Sequence, residues 1–207
     1  MKIPLKVPCW SCHEPVTVTL TLPDREISFT CTRGHDNSGP VESEVGSLVL
    51  TRAEHEFKEN SDLTLAVVLS AMAFDTEISR LHHKWRTIAA YEVAHDISDE
   101  ELDVLLRKHS SVRDKMDHVA GLMHAPGLDD FVGGEPDLRQ IVTEGYPSLK
   151  GSPLSAGFQQ ALFWPRNRVV HMGHMVRERQ QAVRALNLSR LGIYIFDRMD
   201  QRRRQEE

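Results

Sequence analysis

The sequence contains no long apolar run, and this absence argues against a membrane protein. No stretch reaches the ~18–20 consecutive apolar residues that a membrane-spanning helix needs. The first ten residues, MKIPLKVPCW, also lack the apolar core of a secretory signal peptide. We therefore expect a cytoplasmic protein that does not associate with a membrane.

Cysteine is scarce as well. The 207 residues include three cysteines, which cannot all pair with one another in disulfides. This agrees with a reducing intracellular compartment, where thiols stay free. The hydrophobic content of 40% and the charged content of 27% are typical of a soluble globular protein. The length suits one domain of ordinary size with a small additional module.

Lysine is absent from segment 166–204, although this segment is strongly basic. It has ten arginines and three acids, a net charge of +7, whereas the whole chain carries −5 and the remainder therefore −12. One basic, arginine-only segment in an acidic chain indicates a local anion-binding site. The alternative is that these arginines pair with acids on neighbouring helices.

A short cluster of potential metal ligands lies near the N-terminus. Its spacing is C-x2-C-x18-C-x3-H, and its members are Cys9, Cys12, Cys31 and His35. Three thiolates and one imidazole are a common tetrahedral ligand set for Zn²⁺. His13 could compete as the fourth ligand, but we favour His35 because Gly34 permits a tight turn beside it. Four protein ligands leave no open coordination position, so the sequence predicts a structural zinc. The alternative is three buried free cysteines.

The residues between the ligand pairs predict a β-hairpin. Residues 16–22 alternate apolar and polar side chains, Pro23-Asp24 predicts a turn, and residues 25–31 return as a second strand. This plan resembles that of a zinc ribbon. We therefore predict a zinc-ribbon-like module over residues 1–50. Residues 36–60 are polar and mixed, and the stretch DNSGPVESE, residues 36–44, predicts a linker.

The remaining chain, residues 60–207, predicts a mainly α-helical bundle of up-down topology. Apolar residues at spacings of three and four predict a first long helix, on Val67, Ala71, Phe74, Ile78, Leu81, Trp85 and Ile88. A capping box of Ser98 and Glu101 begins a second helix that extends to Met123. Another helix resumes near residue 156 and runs into, or breaks at, Pro165. The side of a final helix is predicted by Val183, Leu186, Arg190, Ile193 and Phe196.

Glycine and proline are concentrated in residues 121–157, which hold eleven of the chain's twenty-two. No hydrophobic period is evident there. We therefore predict a long irregular insertion, and loops of this length are usually functional or disordered.

The stretch RNRVVHMG places Arg166, Asn167 and His171 in the pattern R-N-x-x-x-H, ahead of the final helix. In a helical context this pattern resembles the hallmark of the HEPN superfamily, over residues 60–204. Asp75 and Glu77 on the first long helix lie where many members place an acid. The zinc module and the insertion are additions to the compact members.

The resemblance implies a metal-independent endoribonuclease that acts as a dimer. Two bundles would pair so that the two Arg/His motifs form one composite site, with Arg166, Asn167 and His171 as catalytic residues. RNA supplies its own nucleophile, the 2′-OH, and the expected products are a 2′,3′-cyclic phosphate and a free 5′-OH. Members of the family often serve as toxins or antiviral defence effectors, which adds a possible antitoxin or defence-system partner protein.

The residue types suit this chemistry, but their spacing raises a question. Histidine transfers protons near neutral pH, and arginine holds a phosphate through two hydrogen bonds. On a regular helix, however, Arg166 and His171 point about 140° apart. A dimer or a helix distortion near Pro165 would relieve this. Alternatively, the two residues do not act together, or His174 is the base. A second function class is a non-catalytic RNA- or nucleotide-binding module whose zinc ribbon binds a partner.

Overall fold

Four short β-strands precede a mainly helical chain. The computed structural model describes residues 2–9, 11–21, 26–40, 45–93, 98, 100–101, 104, 111–123, 125, 127–149 and 151–206. The helical class with a small N-terminal β module is therefore confirmed. None of the helices in the described residues combines the length and apolar character needed to cross a bilayer.

The strands form two antiparallel hairpins rather than the single hairpin that the sequence predicted. Strand β1 (Lys2–Pro8) pairs with β2 (Pro15–Thr21), and β3 (Glu26–Thr30) pairs with β4 (Asp36–Pro40). The two predicted strands are present, as β2 and β3, but each pairs with a different neighbour in the described residues. The tight turn at each ligand pair reverses the chain, so the strands that flank that turn are the ones that meet. The predicted turn at Pro23-Asp24 lies outside the described residues.

Eight α-helices follow in the described residues, two of them extended by a π-helical turn. Their bounds are α1 Val45–His55 with a π turn Glu56–Asn60, α2 Leu63–Val93, α3 Val112–Leu122, α4 Leu128–Gly134, α5 Pro136–Gly145, a 3-10 turn Pro147–Leu149, α6 Leu154–Phe158, a π turn Gln159–Phe163, α7 Trp164–Met172 and α8 Arg179–Glu206.

The predicted linker, residues 36–44, begins instead as a strand, its last four residues lie outside the described residues, and a helix that was not predicted follows it. Residues 36–40 form β4, and α1 packs along α2 and buries Leu48, Val49 and Ala53. These apolar residues recur at helical spacing, but the polar residues between them obscure the pattern. The predicted module boundary at residue 50 therefore falls inside a helix whose buried face belongs to the helical core.

Helix α2 is the central element of that core. It contacts α1, α3, α7 and α8. Phe74 on α2 is fully buried, and its ring centroid lies 5.0 Å from that of Phe158, 5.9 Å from Phe163 and 6.0 Å from Phe196. On α8, a Cβ at Gly192 would lie only 2.6 Å from the Phe74 ring, so glycine permits this close helix approach. The predicted first long helix is confirmed as α2.

The predicted second helix is described only in part. Its capping box is present, because the Ser98 Oγ and backbone N–H donate to the Glu101 carboxylate at 2.8 and 3.0 Å. The residues of its predicted stripe before Val112 lie outside the described residues. The predicted continuity to Met123 is wrong, because Ser111 has an extended backbone and N-caps a new helix, α3, which buries Met116 and Val119.

The prediction of an irregular insertion over residues 121–157 is wrong. Helices α4 and α5, the 3-10 turn and α6 occupy most of it. They pack apolar side chains into the main core, namely Leu128, Phe131, Val132, Leu138, Leu149 and Leu154. Each helix is too short to show a clear period, and the glycines and prolines mark its ends rather than a loop.

The chain passes through Pro165 without a break. A π turn over residues 159–163 precedes α7, and Pro165 occupies the first turn of α7. Proline has no N–H and crowds the carbonyl four residues earlier, and a wider turn just before it accommodates both effects. Gly173, with φ +63°, ends α7 in the left-handed conformation.

Candidate functional site

The four predicted metal ligands lie together at the turns of the two hairpins. Their ligand atoms all fall within 4.8 Å of one another: Cys9, Cys12, Cys31 and His35. The His35 Nδ1 is 3.4 Å from the Cys31 Sγ and 3.8 Å from the Cys9 Sγ, and the Cys12 and Cys31 sulfurs are 3.9 Å apart. Ligands about 2.0–2.3 Å from a tetrahedral Zn²⁺ would be about 3.5–3.8 Å apart. The cluster could therefore hold a metal ion such as zinc.

Local backbone hydrogen bonds shape the two turns. In the first, the Cys9 N–H donates to Glu14 O and the His13 N–H donates to Cys9 O, both at 2.8 Å. In the second, the Cys31 N–H donates to His35 O at 3.0 Å, and Gly34 has φ +81°. The two turns thus point their ligands at a common centre. His13 is exposed and outside the cluster, so the structure favours His35.

Polar groups around the cluster favour thiolate at one ligand. Burial alone would raise the pKa of Cys9. The backbone N–H groups of Cys12 and Ser11 and the amide of Asn37 oppose this and lower the pKa of the Cys9 thiol to about 6. Asn37 is buried, donates to the Cys9 Sγ at 3.5 Å and to His35 O at 2.8 Å, and so links the two turns. A thiolate is the form of cysteine that binds metal.

The Arg/His motif lies on α7, which has no buried side chain. Arg166 and Asn167 are partly exposed and His171 is exposed. The Arg166 Nη1 donates to the Asn167 Oδ1 at 2.9 Å. The π turn ends before the motif, so α7 itself is regular and Arg166 and His171 remain about 140° apart around its axis. Helix distortion therefore does not bring these two side chains together within one chain.

The arginines of segment 166–204 divide into two groups. Those near the end of α8 pair with acids: Arg198 and Arg202 with Glu135, and Arg204 with Asp200. Arg190 pairs with Glu54 at 2.8 Å. Arg190, Arg198 and Arg202 thus pair with acids of other segments, as the alternative held, whereas the Arg204–Asp200 pair is an i,i+4 pair within α8.

The other group lies at and after α7. In the described part of the chain, no acid lies within ion-pair distance of Arg166, Arg168, Arg177 or Arg184. The sequence from residue 164 to 177 also contains no Asp or Glu. Positive charge that is not neutralised therefore concentrates around α7, on the same short element as His171.

The exposed surface around α7 also carries large apolar side chains. Their exposed fractions are 58% for Trp164, 49% for Val170, 75% for Met172 and 63% for Met175. After α7 the chain is held in place by Val176, which is buried and whose N–H donates to the Thr64 Oγ1 of α2 at 3.0 Å. The surface thus combines apolar and cationic groups on a fixed backbone.

The two acids expected near the motif have other partners. Glu77 is fully buried and accepts a hydrogen bond from Arg80 Nε at 2.9 Å. Asp75 lies 3.7 Å from the ammonium of Lys115 on α3. Both carboxylates thus take part in ion pairs along or between helices. His174, the alternative base, is exposed and follows α7.

Sequence reasoning missed Trp164 and Arg168. Both lie on α7 and are exposed, and the positions 164, 168 and 171 follow the i, i+4, i+7 spacing of one helix face. That spacing was visible in the sequence once a helix was assumed to begin at residue 164. The motif drew attention to Arg166 instead, which lies on a different flank of the helix.

Comparison with known proteins does not assign the chain to a family. No protein-family model matches it, and neither a curated protein nor a solved structure matches it.

Proposed function

We propose that this protein is a metal-independent endoribonuclease of the HEPN type, acting through Arg166, Asn167 and His171. The observation that supports it best is the concentration of arginines beside an exposed histidine on α7, since these arginines have no acidic partner among the residues that the structure describes. Unneutralised arginines attract phosphate, and histidine is the side chain suited to proton transfer at neutral pH.

In the proposed reaction His171 takes the proton of a ribose 2′-OH. The 2′ oxygen then bonds to the adjacent phosphorus while the bond from phosphorus to the 5′ oxygen breaks, and a protonated histidine returns a proton to that leaving oxygen. Arg166 opposes the negative charge that grows on the phosphoryl oxygens. Asn167 orients Arg166 through their 2.9 Å hydrogen bond.

The angle between Arg166 and His171 favours a homodimer. Because α7 is regular, one subunit's Arg166 is best placed to act beside the other subunit's His171. Exposed Val170 lies on the same flank as Arg166 and offers apolar contact area. We expect a symmetric dimer through α7, as closed homodimers use one patch twice. A monomer mass by light scattering at micromolar concentration would contradict this.

The metal cluster has a structural role in this proposal, with Zn²⁺ as its ion. Three cysteines and one histidine fill all four tetrahedral positions, so no position remains for substrate. The ribbon would serve as a folding unit or as a contact for a partner protein. A role as a toxin or defence effector, with an antitoxin or defence-system partner, remains a prediction from the resemblance.

The test is cleavage of single-stranded RNA by the zinc-loaded protein without added divalent metal and with EDTA. We expect 2′,3′-cyclic phosphate ends, and we expect His171→Ala and Arg166→Ala to lose about 10²–10⁴-fold in rate. Asn167→Ala should lose less, and DNA should resist because it lacks the 2′-OH. Zinc content measured after the assay shows whether EDTA removed the structural ion.

Arg198→Ala is the matched control, because Arg198 is an exposed arginine of the same segment that pairs with Glu135. It should cleave as the wild type does. Cleavage that requires a divalent ion, or full activity in His171→Ala, would contradict the proposal. RNA binding without cleavage, by the wild type or any variant, would favour the second candidate, a non-catalytic RNA- or nucleotide-binding module. The separation of Arg166 and His171 within one chain is compatible with such a module.

A further inference from the structure

Trp164 is a large aromatic side chain held in an exposed position by the core behind it. Its chain neighbour Phe163 is only 5% exposed and stacks on the central Phe74 at 5.9 Å between ring centroids. The backbone at the start of α7 is therefore fixed by the most densely aromatic part of the core. Trp164 itself is 58% exposed, so this anchoring presents its indole to solvent.

Trp164, Arg168 and His171 lie on one face of α7. Successive positions at i, i+4 and i+7 differ by at most about 60° around a regular helix. Along the axis, Arg168 is about 6 Å and His171 about 10 Å from Trp164. The longer distance corresponds to about three nucleotides of a stacked strand at ~3.4 Å each. Arg166, by contrast, points to a different flank.

The charge of this face suits a polyanion. Arg168 has no acidic partner in the described residues, and Arg177 beyond the helix has none either. No acid occurs between residues 164 and 177. A basic surface that includes an exposed aromatic ring is how proteins bind single-stranded nucleic acid, because every base has a face that can stack.

We infer that Trp164 and Arg168 form a binding surface for single-stranded RNA next to His171. One base stacks on the Trp164 indole, and Arg168 holds a phosphate on the same strand. This inference rests on the proposed function in taking RNA as the ligand, and it specifies single-stranded RNA as the substrate class. Bases paired in a duplex are stacked inside it and cannot reach Trp164.

The experiment measures equilibrium binding of a fluorescent 2′-O-methyl oligouridylate to the full zinc-loaded chain, over a series of salt concentrations. The 2′-O-methyl group blocks the nucleophile, so binding is separated from cleavage. We expect Trp164→Leu to bind roughly 5- to 150-fold more weakly, while Trp164→Phe stays close to the wild type because phenylalanine can still stack. Arg168→Gln should reduce the slope of log affinity against log salt by about 0.7.

Two matched controls use exposed residues of α8. Tyr194 is 45% exposed, and Arg198 pairs with Glu135. Tyr194→Leu and Arg198→Gln should leave both affinity and salt slope unchanged. A duplex of equal length should bind much more weakly than the single strand.

Wild-type affinity in Trp164→Leu and Arg168→Gln would overturn the inference, and equal affinity for a duplex would also do so. If Trp164→Leu loses the dimer but keeps its oligonucleotide affinity, this face is a contact between copies and the inference fails. These failures leave the proposed reaction standing if wild-type protein still cleaves RNA. Conversely, weakened binding in both variants supports the inference even if no variant cleaves, and in that case only the proposed reaction fails.

Discussion

The N-terminal module and the helical part of the chain are stabilised in different ways. In the module, the buried residues whose exposure is described are few, and two of them are the potential metal ligands Cys9 and Cys31. In the helical part, one continuous apolar cluster extends from Val49 on α1 to Met199 on α8. Small units that bury little surface usually need a metal or disulfides. A bound ion would therefore matter greatly for the first region and little for the second.

The largest expected effect is loss of the ion from the module. Cys31→Ser removes a ligand of the second turn that lies 3.4 Å from the His35 Nδ1 of the same turn and 3.9 Å from the Cys12 Sγ of the first turn. Structural zinc contributes on the order of 10–16 kcal/mol in small zinc domains, so we expect the first forty residues to unfold. Elemental analysis should show one zinc per chain in the wild type and little in the variant.

The helical part should stay folded in Cys31→Ser. Helical circular dichroism and the main thermal transition are the readouts, and Ser47→Ala, at an exposed position of α1, is the neutral control. If both regions unfold together, the contrast between them is wrong. If the wild type binds no metal when prepared without chelator, the zinc proposal is wrong.

A cavity in the aromatic core should produce the reverse result. Phe74→Ala removes the ring that packs against Phe158, Phe163 and Phe196, at a cost of about 3–5 kcal/mol in the free energy of unfolding. Urea unfolding followed by helical circular dichroism measures this cost. The zinc content of the folded protein should not change, because no ligand lies in this core. Loss of zinc at full helicity would contradict the separation of the two regions.

Replacing the partly buried Asp197 of α8 should change the free energy of unfolding by a smaller amount that depends on pH. Burial, together with Glu77 and Asp200, raises the pKa of Asp197 to about 6, although Arg80 and Arg204 act in the opposite direction. Because the folded pKa exceeds that of the unfolded chain, this group lowers stability as pH rises from about 4 to about 6. Asp197→Asn should therefore stabilise the protein at pH 8 by on the order of 1–2 kcal/mol, after allowance for solvent screening.

Asp200, one turn away, provides the opposite control. Burial raises its pKa, but hydrogen bonds from Lys84, Arg204 and Trp85 overcome this and lower it. Asp200→Asn should therefore destabilise the protein at pH 8. Urea unfolding of both variants from pH 8 towards pH 4 is the measurement, and the gain in Asp197→Asn should shrink as the pH falls. If the gain in stability of Asp197→Asn does not depend on pH, the raised pKa of Asp197 is not its cause.

The smallest effects should come from replacing one glycine by alanine in each region, which should weaken zinc binding in the module and stabilise the helical part. Gly34 has φ +81° in the second metal turn, so Gly34→Ala is strained by about 1 kcal/mol and should weaken zinc affinity several-fold. Gly121 lies in helix α3 with open space around it, so Gly121→Ala should stabilise the helical part by about 0.5–1 kcal/mol. Competition with a zinc-binding dye measures the first change, and urea unfolding measures the second.

Prediction from the sequence succeeded where the signal lies within a single element, either as a long repeat or as a local capping pattern. The long apolar stripe predicted α2, and the Ser98–Glu101 capping box has the expected hydrogen bonds. Prediction failed for α1 and for the helices of 121–157. These helices are short, and their few buried side chains are recognisable only from the surfaces against which they pack.

The two ligand pairs meet within 4.8 Å only in the folded chain. The spacing of the cysteines and His35 by itself predicted each pair, because residues three or four apart can share a tight turn. It did not determine which strands pair, since this depends on the direction in which each turn sends the chain. In the same way, arginine content alone predicted an anion site without locating it. Only the tertiary structure showed that Glu54 and Glu135 pair with arginines of α8, while the arginines of α7 have no acidic partner in the described residues. Ion pairs between distant segments require those segments to be packed side by side, and the linear sequence does not record that packing.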